Sequence, residues 1–233
     1  MLLCNSANRP ELERSYIDML RRNMVDGVIV NSLNIGAEAY AEMGLSLVGI
    51  DCDLGEASVQ IASDSYSIGE LATRRLIDDG CSRILCLRSN SRMRMPANKR
   101  TDAYLDVVEQ AGLPALVREV EFVKPDDEKS AVVAKILDEN PDIDGIFAGD
   151  DTMAAICLNV MKQRGLSAPG DIKVVGADGA RRTMTFMPDL TTVRQDIDRI
   201  GELAAQSIIA LINGEKPESN IKLPVELIEG KTA

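Results

Sequence analysis

Between residues 143 and 195 the chain reads strand, polar turn, helix, strand, polar turn, proline, strand. Two short apolar runs, one around Ile146-Phe147-Ala148 and one around Val174-Val175, end in Gly149-Asp150-Asp151 and in Gly176-Ala177-Asp178-Gly179. Unbroken apolar runs suit strands that are buried on both faces, as in parallel sheets covered by helices. Parallel neighbours need crossover connections, and a helix lies between these two runs. Polar turns at the carboxyl ends of such strands are where open α/β sheets bind ligands.

The same alternation runs through the rest of the chain. Residues 1–5 read as a short strand. A helix starts at Pro10, with Glu11 and Glu13 near its positive end and Tyr16, Ile17, Met19 and Leu20 on its apolar face. Strands are expected at 27–31, 45–51, 59–64, 83–87, 119–123 and 221–228. Helices are expected at 36–43, 64–79, 100–111, 126–139 and 196–213, several closed by glycine. The 126–139 helix places Ala131, Val132, Ala134, Ile136 and Leu137 inward. The fold class is therefore α/β with parallel sheets.

The net charge of −11 argues against a general nucleic-acid surface, which draws on clustered Lys and Arg. No apolar run approaches the roughly 18 residues of a membrane helix, and no basic-led leader is read, so a cytoplasmic protein is expected. Five cysteines without C-x-x-C spacing read as reduced thiols, most of them in apolar runs. Histidine is absent, which removes the usual general base and the commonest metal ligand. No cofactor or metal site is expected.

Asp64, Asp150, Asp151 and Asp178 fall at strand ends or helix starts. Capping is the ordinary role of an aspartate there, and spacing favours it for Asp64 and Asp151. Asp150, just before that cap, is freer to face a ligand, where a carboxylate can accept from two vicinal hydroxyls. The 88–100 loop holds Arg88, Arg92, Arg94, Lys99 and Arg100, mostly a solvated charge run. Arg100 opens a helix, where the dipole does not favour a cation. That misfit singles it out for a grip on a ligand oxygen or carboxylate. Tyr66 and Phe122 are candidate aromatic platforms, with core packing as their ordinary role. Helix formation after GADGARR is not evident.

The segments 21–30, 48–87, 146–179, 188–215 and 223–228, in this order, resemble the effector-binding core of LacI/GalR-family bacterial transcriptional regulators. The stretch P-D-L-T-T-V-R-Q from Pro188 is closer to the regulators than to secreted binding proteins. The resemblance implies a periplasmic-binding-protein-like type I fold: two Rossmann-like parallel-sheet lobes with a ligand cleft between them. It implies one lobe of 1–79 plus 195–222 and another of 80–194 plus 223–233. Asp64, Arg100, Asp178 and Gln195 match effector-binding positions of the family. Asp150 stands where the family usually has Asn, and Gly179 replaces a second Asp. The DNA-binding head and the first strand–helix unit of the amino lobe have no counterpart here, so operator DNA would be met only through the missing head.

The expected function is a non-catalytic sensor of a sugar or sugar phosphate that acts as a homodimer. The basic loop makes an anionic effector worth testing. A solute-binding protein is the first alternative. A sugar-acting enzyme is the second, with only the Asp cluster to support it.

Overall fold

The computed structural model describes residues 1–6, 9–22, 25–32, 39–40, 42, 44–55, 58–89, 96–121 and 124–233. The chain forms two compact units. The first includes Met1–Ser63 and Asp196–Leu223, the second Asp64–Asn90, Ala97–Gln195 and Pro224–Ala233. The chain passes from one to the other after Ser63, after Gln195 and after Leu223.

In the first unit, β1 (Gly27–Val30), β2 (Ser46–Ile50), β3 (Val59–Ser63) and β9 (Asn220–Leu223) form one sheet in that order, all parallel. Successive residues of β2 serve opposite faces, as a strand requires. Leu47 packs with Ile17 of α1 (Pro10–Arg22), while Val48 packs with Ile200 and Ala204 of α7 (Ile197–Ile212).

The second unit carries a six-stranded sheet in the order β10-β8-β7-β6-β4-β5. Its strands are β4 (Ile84–Ser89), β5 (Leu116–Val120), β6 (Gly145–Ala148), β7 (Lys173–Asp178), β8 (Thr191–Gln195) and β10 (Val225–Ile228). All pairs are parallel except β10 with β8. In β6, Phe147 faces α2 (Ser65–Asp78) and α3 (Asn98–Gln110), where Ile68, Leu76 and Tyr104 are fully buried. Its neighbour Ile146 faces α4 (Asp126–Glu139) and α5 (Asp151–Gln163), with Val133, Leu137, Cys157 and Val160. Each such side chain contributes about 1.5–3 kcal/mol by leaving water.

Several expectations are corrected. Residues 1–6 form no strand, and Met1 and Leu3 are exposed; a strand persists only beside a hydrogen-bonding neighbour. β5 lies at Leu116–Val120, three residues before the expected start, because its register is set by pairing with β4. The expected strand at 221–228 is two strands: Pro224 separates β9 from β10, and these belong to different sheets. On α4, Ile136 and Leu137 are buried as expected, but Val133 is buried with them and Ala131 is exposed. A short helix, α6 (Arg181–Phe186), does follow GADGARR. The expected helix at 36–43 falls mostly outside the described residues; 39–40 are helical. Residues 64–79 group with the second unit, not the first, because α2 packs on α3 and on that unit's sheet.

The last residues lock into this sheet. Thr232 Oγ1 donates to Val174 O at 2.6 Å and accepts from Thr191 N at 3.0 Å. Arg75 Nη2 donates to Ala233 O at 2.7 Å. Thr232→Val keeps the volume but leaves the buried Thr191 N–H without its acceptor. Urea unfolding should show a loss of about 1–3 kcal/mol.

Candidate functional site

The carboxyl ends of β4, β6 and β7 come together in the second unit. β4 is followed by α3 and then β5 on one side of it in the sheet, whereas β6 leads to β7 on the other. The boundary between β4 and β6 is thus a topological switch point, the place where open α/β sheets form a crevice. A cavity of about 110 Å³ opens there, lined among others by Arg88, Ser89, Lys129, Gly149 and Asp150. It is smaller than the ~300 Å³ at which small-molecule pockets begin.

Arg100 lies in the first turn of α3, with only 12% of its side chain exposed. Its guanidinium donates through Nη1 to Gly149 O at 2.5 Å and through Nη2 to Asp178 Oδ1 at 3.1 Å. Its buried Nε–H has no acceptor among the described residues. Gln195, the last residue of β8, donates through Nε2 to the same Asp178 oxygen at 2.5 Å. Burial pushes the Asp178 carboxyl above the usual range; the Arg100 charge pulls it back, the Asp150 charge raises it, and the Gln195 hydrogen bond lowers it. The structure thus brings three expected site residues into one hydrogen-bonded group, around a carboxylate still one-third exposed.

The backbone at Asp178 has φ 112° and at Gly179 φ 57°. A left-handed conformation at a non-glycine residue is costly and persists where its surroundings hold it. Gly179 is required twice over, by that φ and by space, since a Cβ there would stand 2.6 Å from Arg194 Cβ.

The cap expected at Asp151 is made by its neighbour Asp150. Asp150 is the N-cap of α5: its backbone is extended and its Oδ1 accepts from Met153 N at 2.8 Å. Asp151, the expected cap, is buried at 4% exposure. It accepts from Thr192 Oγ1 at 2.6 Å and from Gly179 N at 2.8 Å. Tertiary partners claimed Asp151, and the cap fell to the residue before it. Asp64 does cap α2, accepting from Ser67 N at 3.2 Å. The Tyr66 hydroxyl donates to Asp106 on α3 at 2.7 Å, so its polar end is engaged away from Arg100 and Asp178. Phe122 lies outside the described residues, as do Arg92 and Arg94. Of the remaining basic residues of that stretch, Arg88 pairs with Glu119 and Lys99 with Asp102. Asp151 is the residue that sequence reasoning misplaced; the one available signal was Thr192, 41 positions away.

Comparison with known proteins places this geometry in a family. Residues 73–233 match the periplasmic binding protein-like domain. The sucrose operon repressor of Pediococcus pentosaceus is 34% identical over 235 aligned residues, covering 100% of this chain and 72% of the repressor. The ribose operon repressor of Halalkalibacterium halodurans is 30% identical, covering 100% of this chain and 70% of that protein. Among solved structures, a periplasmic binding protein/LacI transcriptional regulator from Alkaliphilus metalliredigens, complexed with D-xylulofuranose, superposes with a TM-score of 0.86 at 26% identity, covering 100% of this chain and 86% of that one. These relatives are repressors rather than enzymes, and no helix among the described residues is long and apolar enough to cross a membrane. The chain belongs to the LacI/GalR family of transcriptional regulators, as its periplasmic-binding-protein-like effector-binding domain.

Proposed function

We propose that the chain is the sugar-sensing and dimerisation core of a repressor, and that Arg100, Asp178 and Gln195 hold its effector. Asp64, Asp150, Tyr66 and Phe122 are the further candidates for effector contact. The Arg100–Asp178–Gln195 group is the observation that carries this reading. A fixed guanidinium, a part-exposed carboxylate and an amide together offer donors and acceptors to the hydroxyls of a sugar ring. The solved relative from Alkaliphilus metalliredigens is complexed with a sugar, D-xylulofuranose. The chain spans about 70% of the length of the repressors it resembles, and operator binding is assigned to no residue of it. Effector binding acts by shifting the population of two states of a dimer. Exposed apolar side chains suited to self-association include Ile209 on α7 and Phe186 on α6.

The effector is a neutral sugar rather than a sugar phosphate or sugar acid. Asp150 and Asp151 add negative charge near Asp178, and the Arg100 guanidinium is already bonded to Gly149 and Asp178. A further anion would meet like charge and a neutralised cation. In a thermal-shift screen, sucrose or D-ribose should raise the melting temperature, while glucose 6-phosphate and gluconate should not. A ligand at 100 times its Kd stabilises by about 2.7 kcal/mol. Stabilisation by the anionic compounds alone would reverse the charge assignment, and no shift with any sugar would remove the sensor reading.

A further inference from the structure

Asp151 is buried beneath the site instead of lining it, and both of its oxygens are used. One takes the Thr192 hydroxyl at 2.6 Å and the other the Gly179 N–H at 2.8 Å. That amide follows directly on Asp178, whose φ of 112° is left-handed. The direction of this turn decides where the Asp178 side chain points, and it points at Arg100 and Gln195. Gly176 supplies the room: a Cβ there would stand 2.5 Å from Asp151 Oδ1. Thus Gly176 within β7 admits the Asp151 carboxylate, and Gly179, just past the end of the strand, donates to it.

We propose that Asp151 is the positioning residue of the effector site: it pins the Asp178–Gly179 turn so that Asp178 meets Arg100 and Gln195. The consequence for binding rests on the sugar-sensor reading; the positioning itself does not.

The charged groups around Asp151 are Asp150 at the cap of its own helix, Asp178 on β7, and Arg100 of α3, which reaches it through Asp178. β8 contributes the neutral Thr192. Burial pushes the Asp151 carboxyl up to about 6; the Thr192 hydrogen bond lowers it, the Asp178 charge raises it, the Gly179 hydrogen bond lowers it and the Asp150 charge raises it. A carboxyl raised in the folded state takes up its proton as pH falls through that value, before an unfolded aspartate would. Protonated Asp151 can donate to Thr192 and still accept from Gly179. Acidification therefore keeps the latch and removes its charge. Asp151→Asn copies this neutral latch, whereas Asp151→Ala deletes it.

The test uses the nitrogen-15-labelled 233-residue chain without ligand. The Gly179 amide shift should show a titration step with a midpoint near pH 6 in the wild type, and that step should be absent in Asp151→Asn, where only the step of the adjacent Asp178 carboxyl remains. The Gln195 side-chain amide should be unmoved in Asp151→Asn and should shift to the position of free glutamine in Asp151→Ala. An unmoved Gln195 amide in Asp151→Ala, or a Gly179 step near pH 6 that is unchanged in Asp151→Asn, overturns the proposal. If Asp151→Ala does not fold, Thr192→Val decides: loss of the hydrogen bond that lowers the carboxyl should move the Gly179 midpoint upward, and an unchanged midpoint counts against the latch. With sucrose or D-ribose, whichever stabilises the wild type, Asp151→Ala should weaken Kd roughly tenfold, a difference of about 1.4 kcal/mol. Asp151→Asn should keep the wild-type affinity at pH 7.5; equal affinity in Asp151→Ala overturns the functional half. If neither sugar binds the wild type, the sensor reading fails, while the Gln195 amide still decides the positioning.

Discussion

Arg100→Ala should abolish sugar binding and cost the second unit about 1.5–3 kcal/mol of stability, the range for hydrogen bonds to a charged group and below that of a fully buried ion pair, because the Asp178 carboxylate is one-third exposed. The loss has two parts. Asp178 keeps its burial and its acidic neighbours but loses the only cation bonded to it among the described residues. Gly149 O loses a donor at the end of β6. Arg100→Lys separates binding from stability. A lysine restores positive charge but cannot span Gly149 O and Asp178 with a planar fork. Part of the stability should return while sugar binding does not. Urea unfolding and thermal shift on both variants check this, and an Arg100→Ala protein that binds sugar normally would contradict it.

Gly69→Ala should displace Arg100 without touching any side chain of the site. A Cβ on Gly69 would stand 2.1 Å from the Arg100 carbonyl oxygen, 2.8 Å from its carbonyl carbon and 2.9 Å from its Cα. All three are backbone atoms of α3, so no rotamer change relieves the contact and the helices have to separate. Overpacking of this kind costs typically 1–3 kcal/mol, more where the backbone cannot yield. A shift near 1 Å at a binding group is enough to lose a site whose geometry must hold to about 0.5 Å. The expected result is a folded protein with a lowered melting temperature and no stabilisation by the sugar that stabilises the wild type. Ordinary helix propensity predicts the opposite sign, because alanine is favoured over glycine inside a helix by about 1 kcal/mol. An unchanged or raised melting temperature would show that α2 and α3 are not in close backbone contact.

The parallel α/β architecture was legible in the apolar runs, because strands buried on both faces leave no polar alternation. β6 is the clear case, with all four of its residues buried. The dipole misfit of Arg100 was legible too. Its guanidinium reaches across to Gly149 and Asp178, bonds that no local rule supplies. The order of Asp150 and Asp151 was not legible. Both are aspartates, which cap helices, and the decision lay with Thr192 and Gly179, 41 and 28 positions from Asp151. The break at Pro224 had its signal in the sequence, since proline cannot donate to a ladder, but the sheet on each side of it was set only by tertiary pairing. Residues 1–5 have strand-like composition, yet composition alone does not provide a neighbouring edge.

The most direct measurement is a crystal structure of the chain grown with whichever of sucrose or D-ribose stabilises it. The predicted result is a sugar whose hydroxyls lie within hydrogen-bond distance of Arg100 and Asp178, with the Asp178–Gly179 turn and its bond to Asp151 retained. A sugar bound elsewhere, with Arg100 and Asp178 still joined only to protein groups, would contradict it.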